Sequence, residues 1–213
     1  MSHLLDLFTG TGSVKNIAEE LGYSVTSLDI DPKFCPTHVA DIISFDYKSH
    51  FKPGDFDIIW ASPPCQYFSQ ARKCNIGRTV NGETLTAERV LSDITEYGLP
   101  ILRRTQEIIE YLQPRVWFIE NPYTGAMKKY IPEKPNVYDY CMFGFNYRKR
   151  TAIWSNQQLE SKMCDRSHLI NGSHAMTPIG SSKTQIGQGG GASRNARYAI
   201  PETLIAKLIT FSN

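Results

Sequence analysis

Apolar residues fall into two repeating patterns along this chain, short continuous runs and runs at helical spacing, and the two alternate. Leu4 to Phe8, Val25 to Leu28, Phe56 to Ala61 and Val116 to Ile119 have the length and bounds of buried strands. Between the first two, Val14, Ile17, Ala18 and Leu21 recur at helical spacing. This predicts a helix from about Ser13 to Leu21, with Ser13 as N-cap and Gly22 as terminator. A longer helical pattern covers Thr86 to Leu112 and is expected to break near Gly98 and Pro100. Arg150 to Trp154 reads as a last strand, and Pro201 to Phe211 as a helix with proline in its first turn. Strands and helices alternating at this spacing predict an α/β fold, a doubly wound and mainly parallel Rossmann-like sheet. Residues 156 to 195 lack periodicity and are rich in Gly, Ser and Asn, so they read as a small irregular insert.

At 213 residues the chain suits one domain with room for a small appendage, and its 41% hydrophobic and 21% charged content is ordinary for a globular protein. No apolar run approaches the roughly 18 residues of a membrane span, and the N-terminus lacks a signal-like core. A cytoplasmic or nuclear location without membrane attachment is therefore expected. Five cysteines, an odd number without tight pairing, fit a reducing compartment. The net charge of +2 does not itself predict a nucleic-acid partner. Local clusters do more: Arg72, Lys73 and Arg78, then Arg103 and Arg104, then Arg148, Lys149 and Arg150 are able to neutralise phosphates.

Candidate chemistry sits where strands end, which is where open α/β sheets bind ligands. The strand through Trp60 and Ala61 runs into Ser62-Pro63-Pro64-Cys65-Gln66, where two prolines set the direction in which the thiol leaves the strand. The first turn carries Gly10 and Gly12 but Lys15 where a third glycine would complete a dinucleotide fingerprint, which argues against a nicotinamide or flavin. Asp29, ending the second strand, is placed to accept hydrogen bonds from ribose hydroxyls, and Asp41 from an exocyclic amine. Together these features suggest a nucleoside cofactor without a pyrophosphate.

In this order the motifs resemble the cytosine-C5 DNA methyltransferases, which use S-adenosylmethionine. Asp6-Leu7-Phe8-Thr9-Gly10-Thr11-Gly12 is similar to that family's cofactor turn, Asp29-Ile30-Asp31 to its ribose acid and Asp41-Ile42 to its adenine contact. Pro64-Cys65-Gln66 resembles the nucleophile motif, Glu120-Asn121 the Glu-Asn pair, and Arg148-Lys149-Arg150 the Arg-x-Arg motif. Pro122 stands where the family usually has valine, and Ile200-Pro201-Glu202 where Gly-Asn-Ser is common.

The resemblance implies a class I methyltransferase fold with a catalytic, S-adenosylmethionine-binding domain over residues 1–155. A short target-recognition insert over 156–195 and a C-terminal helix over 196–213 that returns to the catalytic domain would follow. Phe8, Thr9, Gly10, Thr11, Gly12, Asp29, Ile30, Asp41, Ile42 and Pro64 would bind the cofactor. Cys65 would add to C6 of cytosine, Glu120 would stabilise charge at N3 beside Asn121, and Arg148 or Arg150 would supply positive charge near the thiol.

The target atom is inaccessible in a duplex, so the enzyme must flip the base out or work on single strands. Gln66 to Glu83 is expected to be a flexible loop over it, with Gln66, Ser69, Arg72, Arg78, Gly189 and Arg194 contacting the nucleic acid. DNA is the expected partner. Methylation of tRNA cytosine is the nearest alternative, and a non-catalytic nucleic-acid-binding protein on the same fold is another. The short insert predicts a short target or low selectivity, or help from a partner chain. Cys164, His168 and His174 lack a fourth residue at convincing spacing, so no metal is expected, and Cys35, Cys74 and Cys141 read as structural or incidental.

Overall fold

The structure is a computed structural model that describes residues 2–80, 82–169, 174 and 198–211. Its first strand, β1 (His3–Leu7), lies between β2 (Ser24–Asp29) and β4 (Ile58–Ala61), both parallel to it. The two-residue strand β3 (His38–Val39) extends the sheet beyond β2, and β7 (Val116–Pro122) extends it beyond β4, also in parallel. β9 (Arg150–Ser155) then pairs antiparallel with β7, and β8 (Asn136–Asp139) antiparallel with β9. The resulting order is β3-β2-β1-β4-β7-β9-β8, while β5 (Thr79–Val80) and β6 (Glu83–Thr84) form a separate hairpin. The strand order, which runs outward from β1 to β3 on one side, continues from β4 on the other side of β1. The carboxyl ends of those two strands carry the glycine turn and the Pro-Pro-Cys turn, so both candidate motifs stand at the topological switch point.

Adjacent residues on the central strands face opposite layers, as the two-residue period of a strand requires. Leu5, Ile59 and Ile119 pack with Leu102, Ile108 and Leu112 of α5 (Leu99–Leu112) on one face. Leu4, Ile58 and Phe118 pack on the other, with Val14 and Ile17 of α1 (Ser13–Glu20) and Leu204 and Leu208 of the C-terminal helix α6 (Glu202–Phe211). Burial on both faces is why the strands read as continuous apolar runs rather than alternating ones.

Several local expectations change. Gly12, not Ser13, caps α1: its φ of 79° lies in the left-handed region, and Asn16 N–H donates to its carbonyl at 2.9 Å. Ser13 is already helical, and its Oγ instead accepts from Ile200 N–H at 3.4 Å, which ties the chain's last segment to the start of α1. The long helical pattern is interrupted where expected, by a π-turn at Ile94–Gly98 between α4 (Ala87–Asp93) and α5. Gln66 to Glu83 is more ordered than expected, with a 3₁₀ turn at Cys65–Phe68, a short helix α3 (Gln70–Cys74) and most of the hairpin. A further one-turn helix, α2 (Tyr47–His50), follows β3. β3 and β8 escape the periodicity because they are short edge strands. The early insert joins the β8 edge: Lys162 N–H donates to Val137 O at 2.9 Å and Asp139 N–H to Lys162 O at 3.0 Å. Among the described residues, no helix is long and apolar enough to cross a membrane.

Candidate active site

The cofactor turn begins from strain. Phe8, Gly10 and Gly12 all have positive φ, and for Phe8 at 70° a left-handed backbone costs on the order of 1–2 kcal/mol. A hydrogen bond from Phe8 N–H to Leu28 O at 2.9 Å holds it there. Gly10 N–H donates to Asp29 Oδ2 at 2.8 Å and Asp31 N–H to Asp29 Oδ1 at 2.9 Å, so the carboxylate at the end of β2 knits the two strand ends together. Asp41 is exposed and accepts from Ile43 N–H at 2.9 Å, whereas Ile42 is buried in the core. Ile30, beside Asp29, is 65% exposed, an apolar surface suited to an adenine ring. Thr9 is buried and Thr11 exposed on the same turn.

Asp6 lies beside the same turn, an acid inside the apolar run Leu4-Leu5-Asp6-Leu7-Phe8. It is 1% exposed, and its Oδ2 has no hydrogen-bond partner among the described residues. Burial, then the nearby Asp29 carboxylate, pushes its acid up to about 7, against the pull of the Lys15 backbone N–H and ammonium. Below its unfolded value Asp6 is protonated in both states and neutral to stability. As pH rises the unfolded chain ionises first, so Asp6 destabilises the fold increasingly up to about 7, by as much as roughly 4 kcal/mol. Asp6→Asn is expected to raise the melting temperature, with a larger gain near pH 8 than near pH 5. Equal gains at both would show that ionisation is not the cause.

The nucleophile turn is held from both sides. Pro64, with φ −51° and ψ 116°, leads into the 3₁₀ turn that starts at Cys65. Asn121 Nδ2 on β7 donates to Pro63 O at 2.9 Å, locking this turn to the neighbouring strand end. On one flank a Cβ built on Gly98 of the π-turn would lie 2.9 Å from Phe68 Cζ and 3.1 Å from Tyr67 Cβ. On the other flank a Cβ on Gly125 would lie 3.0 Å from Pro122 O and 3.1 Å from Phe68 O, and Ala126 N–H donates to Phe68 O at 2.7 Å. Neither flank has room for a methyl group. Gly98→Ala is expected to cost about 1–3 kcal/mol through overpacking and to lower turnover by displacing the Cys65 turn. Melting curves and kcat measured together test this; a destabilised variant with unchanged kcat would show that the displacement stops short of the thiol.

Glu120, 6% exposed on β7, borders Cys65 electrostatically. Its Oε1 accepts from Tyr140 Oη at 3.1 Å and from Thr151 Oγ1, and Thr151 Oγ1 also lies 3.1 Å from Asn121 O. Tyr140 and Thr151 were not identified from sequence, because only the antiparallel register of β9 with β7 and β8 brings them to Glu120. Burial first, then the Glu120 charge, pushes the Cys65 thiol up, while Lys149 pulls it down. Within Arg148-Lys149-Arg150 it is the middle residue whose charge lowers the thiol. Lys149 Nζ lies 4.7 Å from the Tyr140 ring centroid. Arg150 is instead bound through Nε and Nη2 to Asp139 at 2.9 and 2.8 Å, and Arg148 is exposed.

Of the residues expected on nucleic acid, Gln66 and Arg78 are exposed. Ser69 Oγ accepts from Ala71 N–H at 3.1 Å, and Arg72 forms an ion pair with buried Asp93. Gly189 and Arg194 lie outside the described residues. Arg104 is committed to structure, donating to Ile42 O at 3.3 Å and Phe45 O at 2.9 Å.

Residues 2–123, from β1 through the Glu120-Asn121 pair, match the model of the C-5 cytosine-specific DNA methylase family. A probable DNA (cytosine-5)-methyltransferase of Frog virus 3 (isolate Goorha) is 39% identical over 216 residues, covering 97% of this chain and 98% of that protein. Among solved structures, Entamoeba histolytica methyltransferase EhMeth is 17% identical, with a TM-score of 0.49 over 76% of this chain and 57% of its own. A Spodoptera frugiperda DNMT2 mutant is 16% identical, with a TM-score of 0.46 over 78% of this chain and 54% of its own. The chain spans little more than half the length of those two structures, and likeness at that level carries no argument. The family match over more than half of the chain, joined to a relative aligned nearly end to end, establishes that this chain belongs to the C-5 cytosine-specific DNA methylase family.

Proposed function

We propose that this chain is a DNA (cytosine-5)-methyltransferase that uses S-adenosylmethionine and works through a covalent adduct on Cys65. The observation that carries this reading is the pairing of Cys65 and Glu120 on neighbouring strand ends, beside a glycine turn built for a nucleoside. S-adenosylmethionine supplies the methyl group as an electrophilic sulfonium. Phe8 to Gly12, Asp29, Ile30, Asp41, Ile42 and Pro64 would hold it.

Cytosine C5 is too weak a nucleophile to take a methyl group unaided. The Cys65 thiolate adds to C6, forming the S–C6 bond and moving an electron pair toward C5 and N3. Glu120 meets the charge at N3 by hydrogen bonding, its carboxyl steered by Tyr140 and Thr151. C5 then accepts the methyl group, the C5 proton leaves to a base, and elimination breaks the S–C6 bond to regenerate the thiolate. Asn121 acts as a positioning residue through its hold on Pro63. Lys149, with Arg148 and Arg150 on the same segment, favours the thiolate.

DNA contact is assigned to Gln66, Ser69, Arg78 and Arg148 around the nucleophile turn, with residues 156–195 as the recognition insert of a catalytic unit over 1–155. Arg72, held by Asp93, shapes that surface. Nucleoside mass spectrometry tests the reading, after incubating the protein and its Cys65→Ala variant with S-adenosylmethionine and either duplex DNA or tRNA. The expected product is cysteine-dependent 5-methylcytosine in DNA. Product in tRNA alone would move the substrate to RNA. Absence of both, with cofactor binding shown separately, would favour a required partner chain or a binding protein.

A further inference from the structure

Cys164, His168 and His174 gain in the fold the companion that their spacing does not reveal. Cys141, in the 3₁₀ turn Tyr140–Phe143 that follows β8, joins them so that all four ligand atoms lie within 4.8 Å of one another. Cys164 Sγ is 3.6 Å from His174 Nε2 and 3.9 Å from His168 Nε2, and the two imidazole centroids are 5.2 Å apart. A tetrahedral zinc ion bound by two thiolates and two imidazoles sets its ligand atoms about 3.3–3.8 Å apart, so the cluster needs only a small contraction to close on the metal.

The backbone around the cluster is prepared for such a role. Lys162 pairs with the β8 edge, which brings the insert alongside the turn that carries Cys141. Cys164 N–H donates to Asp139 Oδ2 at 2.8 Å, and the same carboxylate receives Arg150. This is the kind of outer-shell support that holds a metal ligand in orientation. Cys141 is buried, Cys164 and His174 are half-buried and His168 is exposed, so the site sits at the rim with four protein donors and no open position. A disulfide between the thiols would use only half of this donor set.

We propose that Cys141, Cys164, His168 and His174 form a structural zinc site that fastens the start of the insert to the catalytic sheet. The mixed thiolate and imidazole donors suit zinc rather than magnesium or calcium, which take oxygen ligands. Zinc here would pin the turn whose first residue, Tyr140, donates to Glu120. The insert's anchor and the active-site carboxyl would thereby share one support.

Elemental analysis of the full chain, purified from zinc-supplemented cells without chelator, is expected to find one zinc per chain. Cys141→Ser and His168→Ala are expected to weaken zinc binding by more than the roughly 10–100-fold that loss of an outer-shell partner costs. Cys74→Ser, at an exposed cysteine outside the cluster, is expected to leave the zinc content unchanged. Cobalt substitution of the unaltered chain is an independent measurement should a variant fold poorly: it should give the visible bands of tetrahedral cobalt with a thiolate charge-transfer band. Chain without stoichiometric zinc and with freely reacting thiols, an octahedral cobalt spectrum, or an intact mass lower by two hydrogens from a Cys141 to Cys164 disulfide would each overturn the proposal.

Discussion

Cys65→Ala is expected to lower methyl transfer at least about a thousandfold, equivalent to roughly 4 kcal/mol in the barrier, while leaving S-adenosylmethionine affinity within about twofold. The two effects separate because the parts are separate. The thiol leaves the β4 end, whereas the cofactor turn is built by β1 and β2 and cross-linked through Asp29. Without sulfur no bond forms at C6, and C5 keeps its weak nucleophilicity. The unaltered enzyme should also show the thiol in its pH profile. Burial and Glu120 hold the Cys65 thiol above its ordinary range, so the reactive thiolate is the minor form near neutrality. Turnover under single-turnover conditions should therefore climb as pH rises toward the thiol's titration. Radiolabelled methyl transfer and calorimetric cofactor binding measure the two halves. Appreciable turnover by the alanine variant would refute covalent catalysis.

Glu120→Gln is expected to cost about 10²–10⁴-fold in kcat, the range for a positioned acid–base group. The substitution is nearly isosteric, and a glutamine carbonyl still accepts from Tyr140 and Thr151, so the strand ends should keep their geometry. What disappears is the proton and the charge. A second signature follows from the sign of the coupling: the Glu120 charge raises the Cys65 thiol, so its removal should lower that thiol and speed alkylation of Cys65 at neutral pH. Slower methylation together with faster alkylation identifies a carboxyl acting on the base. If both rates hold steady, Glu120 serves only to buttress β7, and the charge at N3 must be met by another group.

Much of the site was readable before the fold because its parts are local. A glycine turn after a strand, an acid ending the next strand, two prolines before a cysteine and a Glu-Asn pair each occupy a few consecutive residues, and their order along the chain carries the family resemblance. The positive charge near the thiol shows the limit. Among Arg148, Lys149 and Arg150, sequence favours the arginines, but only the pairing of β8 with β9 sets Asp139 against Arg150, while the Lys149 charge pulls the Cys65 thiol down. The same holds for Tyr140 and Thr151, whose neighbours in the chain say nothing of Glu120.

The metal-ligand cluster makes the contrast sharpest. Cys164, His168 and His174 sit close in sequence, but Cys141 lies on the far side of β9 and enters the cluster only because the insert lies back along the β8 edge. By itself the sequence determined the alternation of strands and helices, the sheet's class and the order of the glycine turn, the Pro-Pro-Cys turn and the Glu-Asn pair, because short-range periodicity and backbone restriction encode these within a few residues. Tertiary structure decided the strand order that puts Gly10 and Cys65 at one switch point, the partners of Glu120, the cation at the thiol and the fourth ligand, because strand register and edge pairing join residues that no local rule connects.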